Sequence, residues 1–145
     1  MNWYFASRKR HQEAISKISD FLKSNNQQIV YDWSKVDSLK PYNANSDKSS
    51  LVADKIGSSL KNTDIFVLIS DEGGTDMFIE LGIAIGRWMS NPKIKIYCVG
   101  KYNSRSLMHF HPAIIRVDKL VNVFSAECPE ILTPEFISFI NSLEF

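Results

Sequence analysis

The chain has little of several things, and each scarcity excludes something. It holds two cysteines in 145 residues, Cys98 and Cys128. Two cannot build a disulfide framework, and Cys98 lies inside an apolar, strand-like run. A reducing compartment, the cytoplasm, is therefore expected. Charge imbalance is nearly absent: 17 lysines and arginines face 16 acidic residues, for a net charge of +1. No global field would draw the chain to a nucleic acid polymer or an acidic membrane, so any anion site must be local. No apolar run approaches the ~20 residues that span a bilayer. The opening "MNWYFASRKR" does not read as a signal peptide, because its charges follow a short apolar run instead of preceding a longer one. Metal-ligand patterns are missing too. His109 and His111 in "HFHP" have no nearby cysteine or obvious third ligand, and the segment reads as an ordered turn before a strand. Neither a phosphate-binding glycine loop with lysine nor a Ser/His/Asp order is evident, and no cofactor is implied.

What is present fits one α/β domain spanning residues 1–145. "NWYFA" (2–6) is strand-like. Ser7 can cap a helix to about Ser24, with Ile15, Ile18 and Leu22 on its buried stripe. "QIVYDW" (28–33) reads as a second strand, and 34–50 as a long polar loop with turn formers Pro41, Asn43 and Asn45. A helix follows at 50–62. "DIFVLIS" (64–70) is almost continuously apolar, the mark of a central parallel strand. A glycine turn leads into a helix from about Thr75 to Met89. "KIKIYCVG" (93–100) gives a fourth strand, and either "IIRV" (114–117) or "LVNVF" (120–124) a fifth. A last helix, 134–143, has Thr133 as cap and Pro134 in its first turn. Alternating strands and helices predict a five-stranded, mainly parallel sheet covered on both faces, flavodoxin-like in class. Ligands of such sheets bind beyond the carboxyl ends of the strands. That edge would carry Ser7, Arg8, the 34–50 loop and "SDEGGTD".

One residue in that region is out of place. From Met77 to Gly86 everything is apolar or glycine except Glu80. A buried, unpaired carboxylate costs several kcal/mol or changes its ionisation. Glu80 must face a polar opening, be paired, or do chemistry. At about 100° per residue Asp76, Ala84 and Arg87 share its face. Gly82 and Gly86 fall opposite, with Phe78 and Ile85, where they would permit close packing, and Glu80 is expected to point away from the main core. A plain solvated stripe of Asp76, Glu80 and Arg87 is the competing reading. Gly73 and Gly74 let backbone come close to a ligand. "SRKRH" (7–11) sets cations at a helix start, where the helix dipole disfavours them. Ser7, Arg8 and the helix-start amides could form a phosphate site, or simply a solvated basic turn.

"GTDMFIELGIAIG" resembles the helix motif of nucleoside 2-deoxyribosyltransferases and the related nucleotide N-glycosidases. The resemblance implies that Glu80, in "IELG", is the catalytic nucleophile. "WYFAS" resembles the family's first strand, which would make Tyr4 the tyrosine that holds the nucleophile. "SRKR" is closer to the nucleotide hydrolase branch, whose first loop binds a 5′-phosphate, here through Ser7 and Arg8. "SLMHF" (106–110) resembles a segment that enters the neighbouring subunit's site. Met108 matches a family methionine there, and Ser106 stands where the family has an asparagine. This implies a homo-oligomer with a shared site. The family's aspartate on the second helix counts to Ile56, so Asp71 or Glu72 is the expected acid, with Gly73 and Gly74 lining the substrate. The implied activity is cleavage or transfer at the N-glycosidic bond of a small nucleoside or nucleotide. Two alternatives stand beside it. Toll/interleukin-1 receptor-like domains use a helix glutamate on a similar sheet to cleave NAD, and a non-catalytic nucleotide sensor would use the same pocket.

Overall fold

A computed structural model describes residues 1–145. Five strands form the sheet: β1 (Asn2–Ala6), β2 (Gln28–Ile29), β3 (Ile65–Ile69), β4 (Lys95–Val99) and β5 (Ile114–Val117). Their order is β2-β1-β3-β4-β5 and every pairing is parallel. Five helices cover it: α1 (Gln12–Ser24), α2 (Ser46–Leu60), α3 (Asp76–Ser90), α4 (Leu120–Glu127) and α5 (Pro134–Asn141). This is the expected flavodoxin-like α/β fold.

Strand parity divides the core. Trp3 and Phe5 of β1, with Val67 of β3, pack on the side of α1, α4 and α5. Tyr4 and Ala6, with Phe66 of β3, face the other way, toward α3 and the end of α2. A fully buried side chain such as Phe66 contributes about 1.5–3 kcal/mol of burial. Side chains alternate with period two, so the register Tyr4↔Phe66 fixes which face Tyr4 serves. Strand order reverses between β1 and β3, the switch point at which open sheets of this order bind ligands.

Several boundaries depart from expectation, each for a local reason. Ser7 caps nothing: its hydroxyl donates to the Arg8 carbonyl at 3.1 Å. A 3-10 turn, Lys9–His11, intervenes before α1, whose first residue is Gln12. The second strand keeps only two ladder residues. Trp33 leaves it in a 3-10 turn and donates its indole N–H to the Phe5 carbonyl at 2.6 Å. The 34–50 loop is not all loop. A 3-10 turn at Tyr42–Asn45 leads into α2 four residues early, with Asp47 in the first turn, where the helix dipole favours an acid. "IIRV" is the fifth strand, while "LVNVF" belongs to α4, burying Leu120, Val123 and Phe124 at helical spacing. Thr133 caps α5 as expected, accepting from the Phe136 amide at 3.2 Å. No helix is long and apolar enough to cross a membrane.

Candidate functional site

Glu80 lies in the second turn of α3, and its side chain is turned inward. It is 9% exposed, on the same side of the helix as buried Met77, Leu81 and Ala84. This corrects the wheel drawn from sequence. The outward side of α3 carries Ile79, Gly82, Ile83 and Gly86, all exposed. A Cβ added at Gly82 or Gly86 would meet no atom within 4 Å, so these glycines serve no packing within the chain. Placing the apolar side by composition failed because α3 is apolar nearly all round, and its packing in the fold decides which side is buried. Phe78 meets the His109 ring edge-on. Arg87 donates to the Leu60 and Thr63 carbonyls at the end of α2.

Burial pushes the Glu80 carboxyl up to about 8, the Asp76 charge adds to this, and the Tyr4 hydroxyl offsets part of it. Tyr4 itself is 0% exposed. Its hydroxyl has no well-formed hydrogen-bond partner in the protein, although it sits close enough to Glu80 for each to alter the other's ionisation. Burial, then Glu80, then Tyr31 raise the Tyr4 phenol far above its ordinary value. Tyr31, just beyond β2, thus lies near Tyr4. Sequence reading missed it, because nothing local to Tyr31 shows that its phenol comes near Tyr4. Tyr42, half-exposed beside α2, brings its hydroxyl to 3.5 Å from the Asp76 carboxylate.

A second cluster stands at the ends of β1 and β3. The Asp71 side chain is 0% exposed and ringed by two arginines and a histidine, the histidine disfavoured as a cation by its burial. Arg8 Nη1 is 3.1 Å from Oδ1; Arg10 Nε and His11 Nε2 are 2.7 and 3.1 Å from Oδ2. The Gly73 amide donates to Oδ1 at 3.2 Å. Burial alone would raise the Asp71 carboxyl, but the Gly73 amide, Arg8, His11 and Arg10 outweigh it and hold it below its ordinary value. A carboxylate held ionised in this way is better suited to anchoring arginines than to giving up a proton. Glu72 is exposed, with its carboxylate 3.7 Å from Arg10 and 3.4 Å from the Tyr102 hydroxyl. The two glycines make room for Arg8. A Cβ on Gly73 would lie 3.2 Å from Arg8 Nη1, and one on Gly74 would lie 3.0 Å from Met77 Sδ and 3.2 Å from Arg8 Cγ. Gly74 also has φ +99°, a conformation few other residues adopt.

The "SLMHF" segment is a 3-10 turn, Leu107–Phe110, before β5, which is the ordered turn expected of "HFHP". Buried His109 holds it. The Ser106 amide donates to His109 Nδ1 at 3.2 Å, and Nε2 is 3.3 Å from Ser70 Oγ. An amide donor to Nδ1 requires the neutral Nε2–H tautomer. The Ser106 hydroxyl is engaged with the same ring at 3.0 Å, whereas Met108 is exposed. No three His, Cys, Asp or Glu side chains converge to hold a metal ion.

Comparison with known proteins agrees with the fold. No family model matches the chain, and no curated protein sequence matches it. A solved structure that resembles it is the CMP N-glycosidase BcmB of Clostridium botulinum. The TM-score is 0.55 at 12% identity, over 81% of this chain and 88% of that one. At that identity the likeness is one of fold.

Proposed function

We propose that this protein hydrolyses the N-glycosidic bond of a nucleoside 5′-monophosphate, with Glu80 as nucleophile. One observation carries the reading: a carboxylate, 9% exposed, set beside an unpartnered tyrosine hydroxyl near the binding edge of the sheet. An ordinary core seldom keeps such a pair, since a carboxylate is costly to bury and so is a hydroxyl without a well-formed partner. The fold likeness to a CMP N-glycosidase supports the same class.

Cleavage at C1′ develops positive charge on the sugar, as in glycoside hydrolysis. The C1′–N bond breaks, its electron pair leaves with the base, and a Glu80 oxygen bonds to C1′. Water then displaces Glu80 and restores the carboxylate, while solvent protonates the base. Tyr4 holds the carboxylate's orientation. Arg8 and Arg10, anchored by Asp71, receive the 5′-phosphate together with Ser7, and Gly73 and Gly74 give it access. A second base in place of water would make the reaction a transfer. The two cysteines are free and buried, in keeping with work in the cytoplasm. Exposed Leu107, Met108 and Phe110 support self-association, with Met108 reaching a neighbour's site.

The test is chromatography of free base released from deoxynucleosides, their 5′-monophosphates, ribonucleotides and NAD, by wild type and by Glu80→Ala. Release from monophosphates by wild type alone is the expected result. Release from NAD alone would assign the Toll/interleukin-1 receptor-like activity. No release from any compound would leave a nucleotide-binding protein without turnover.

A further inference from the structure

The proposed reaction accounts for Glu80, Tyr4 and the arginines at Asp71. It leaves Asp76 and Tyr42 without a task. Asp76 opens α3 and lies one turn before Glu80 on the same face, so the two Cβ atoms are about 5–6 Å apart. Helices in this fold start at the carboxyl edge of the sheet, so Asp76 stands at the mouth and Glu80 one turn deeper. Tyr42 reaches Asp76 from the α2 side, 3.5 Å from its carboxylate. Arg8, just past the end of β1, runs beside Gly73 and Gly74 in the turn before α3. Glu80 lies one turn deeper than Asp76, beside the unpartnered Tyr4 hydroxyl. A mononucleotide has the same three parts: a phosphate at one end, C1′ in the middle, and a flat base at the other.

Of the aromatics Trp33, Tyr42 and Trp88, only Tyr42 is free to stack on a base. Trp33 is tied by its N–H to the Phe5 carbonyl. Trp88 packs against the His111 ring and the core on the α3 side. Tyr42 is half-exposed and held at the mouth by Asp76. An aromatic face beside a hydrogen-bond acceptor recognises a planar ring that carries N–H donors. A carboxylate accepts from an exocyclic amino group and repels a carbonyl oxygen in its place.

We infer that Asp76 and Tyr42 form the base-recognition wall of this site and select amino-bearing bases, cytosine or adenine, over their carbonyl counterparts. The inference rests on the nucleotide reading, but not on turnover. It is tested by calorimetric titration of Glu80→Gln, which keeps the side-chain volume and removes the nucleophile. The probes are cytidine, uridine, adenosine and inosine 5′-monophosphates. The amino member of each pair binds at least about tenfold more tightly, the discrimination a directed hydrogen bond supports. Adding Asp76→Asn removes or inverts that preference, because an amide offers both a donor and an acceptor. Adding Tyr42→Ala weakens all four to a similar degree, while Tyr42→Phe restores them. Both side chains are exposed, so the doubly substituted chains stay folded, with cooperative melting close to that of Glu80→Gln alone. Equal binding within each pair, a preference that survives Asp76→Asn, or no binding of any probe overturns the assignment. Base release by wild type is scored separately. Turnover without base preference would sink this inference and leave the N-glycosidase reading standing. A base preference without turnover would do the reverse.

Discussion

Glu80 has opposite effects on folding and on chemistry. Its ordinary value is 4.5, and burial in the folded chain raises it to about 8. Between those values the folded state holds the extra proton, so stability falls as pH rises, by at most about 1.4 kcal/mol per pH unit. Below 4.5 both states are protonated and the effect vanishes. Glu80→Gln should therefore gain on wild type steadily from pH 5 to pH 8 in urea melts; parallel curves would show that the carboxyl is not desolvated. For activity the sign reverses, since the nucleophile must be ionised. kcat/KM for base release should climb toward pH 8 and level above it. Arg8→Ala should weaken monophosphates by about tenfold or more, as loss of a charged hydrogen bond does, and leave nucleosides nearly unchanged. Equal losses on both would remove the phosphate site. At this scale the sequence was partly legible. Glu80 stood out because one carboxylate interrupts an apolar run, and Tyr4 and Arg8 sit beside the positions expected of them. Asp71 read as an acid because a sequence does not show two arginines and a histidine closing on it. Tyr31 gave no signal, since nothing local distinguishes a phenol that meets Tyr4 from one that meets solvent.

Among the elements, α3 and the turn before it carry most of the consequences. Gly74→Ala combines a disfavoured φ with contacts to Met77 and Arg8. It should destabilise by about 1–3 kcal/mol and disturb Arg8, so weaker monophosphate binding should accompany the lower melting midpoint. Gly82→Ala is the opposite case. It sits mid-helix with open space around it, so it should stabilise the monomer by about 1 kcal/mol. A lower midpoint in dilute solution would mean that the position is not as open as its surroundings show. Helix and strand types were readable from period and composition, down to Thr133 as a cap. The ends were not. Trp33 leaves the sheet to satisfy a carbonyl of β1, and "LVNVF" becomes a helix despite its β-branched residues because its buried positions fall three and four apart. Both outcomes depend on neighbours far along the chain.

For the molecule as a whole, surface chemistry raises the question of assembly. Ile79 and Ile83 stay exposed on α3, with Met89 near its end 70% exposed, and Leu107 of the 107–110 turn is 86% exposed. A chain with near-zero net charge and such exposed apolar side chains is prone to associate. Sedimentation at micromolar concentration should find an oligomer, and Met108→Glu should shift it toward monomer while lowering base release. A wild-type monomer would remove the shared-site proposal and leave the single-chain pocket untouched.

The order of the sheet also has a consequence in time. β1 holds residues 2–6, yet its inner neighbour β3 is residues 65–69. During synthesis the first strand leaves the ribosome long before the strand that will bury it. Tyr4 and Trp3 must wait in the open until nearly half the chain has emerged. Translation runs at about 5–20 residues per second, so that wait lasts several seconds, with an aromatic, strand-prone segment uncovered throughout. The nascent chain is most vulnerable to aggregation and to chaperone capture in that interval, and a pause placed just before β3 would lengthen it.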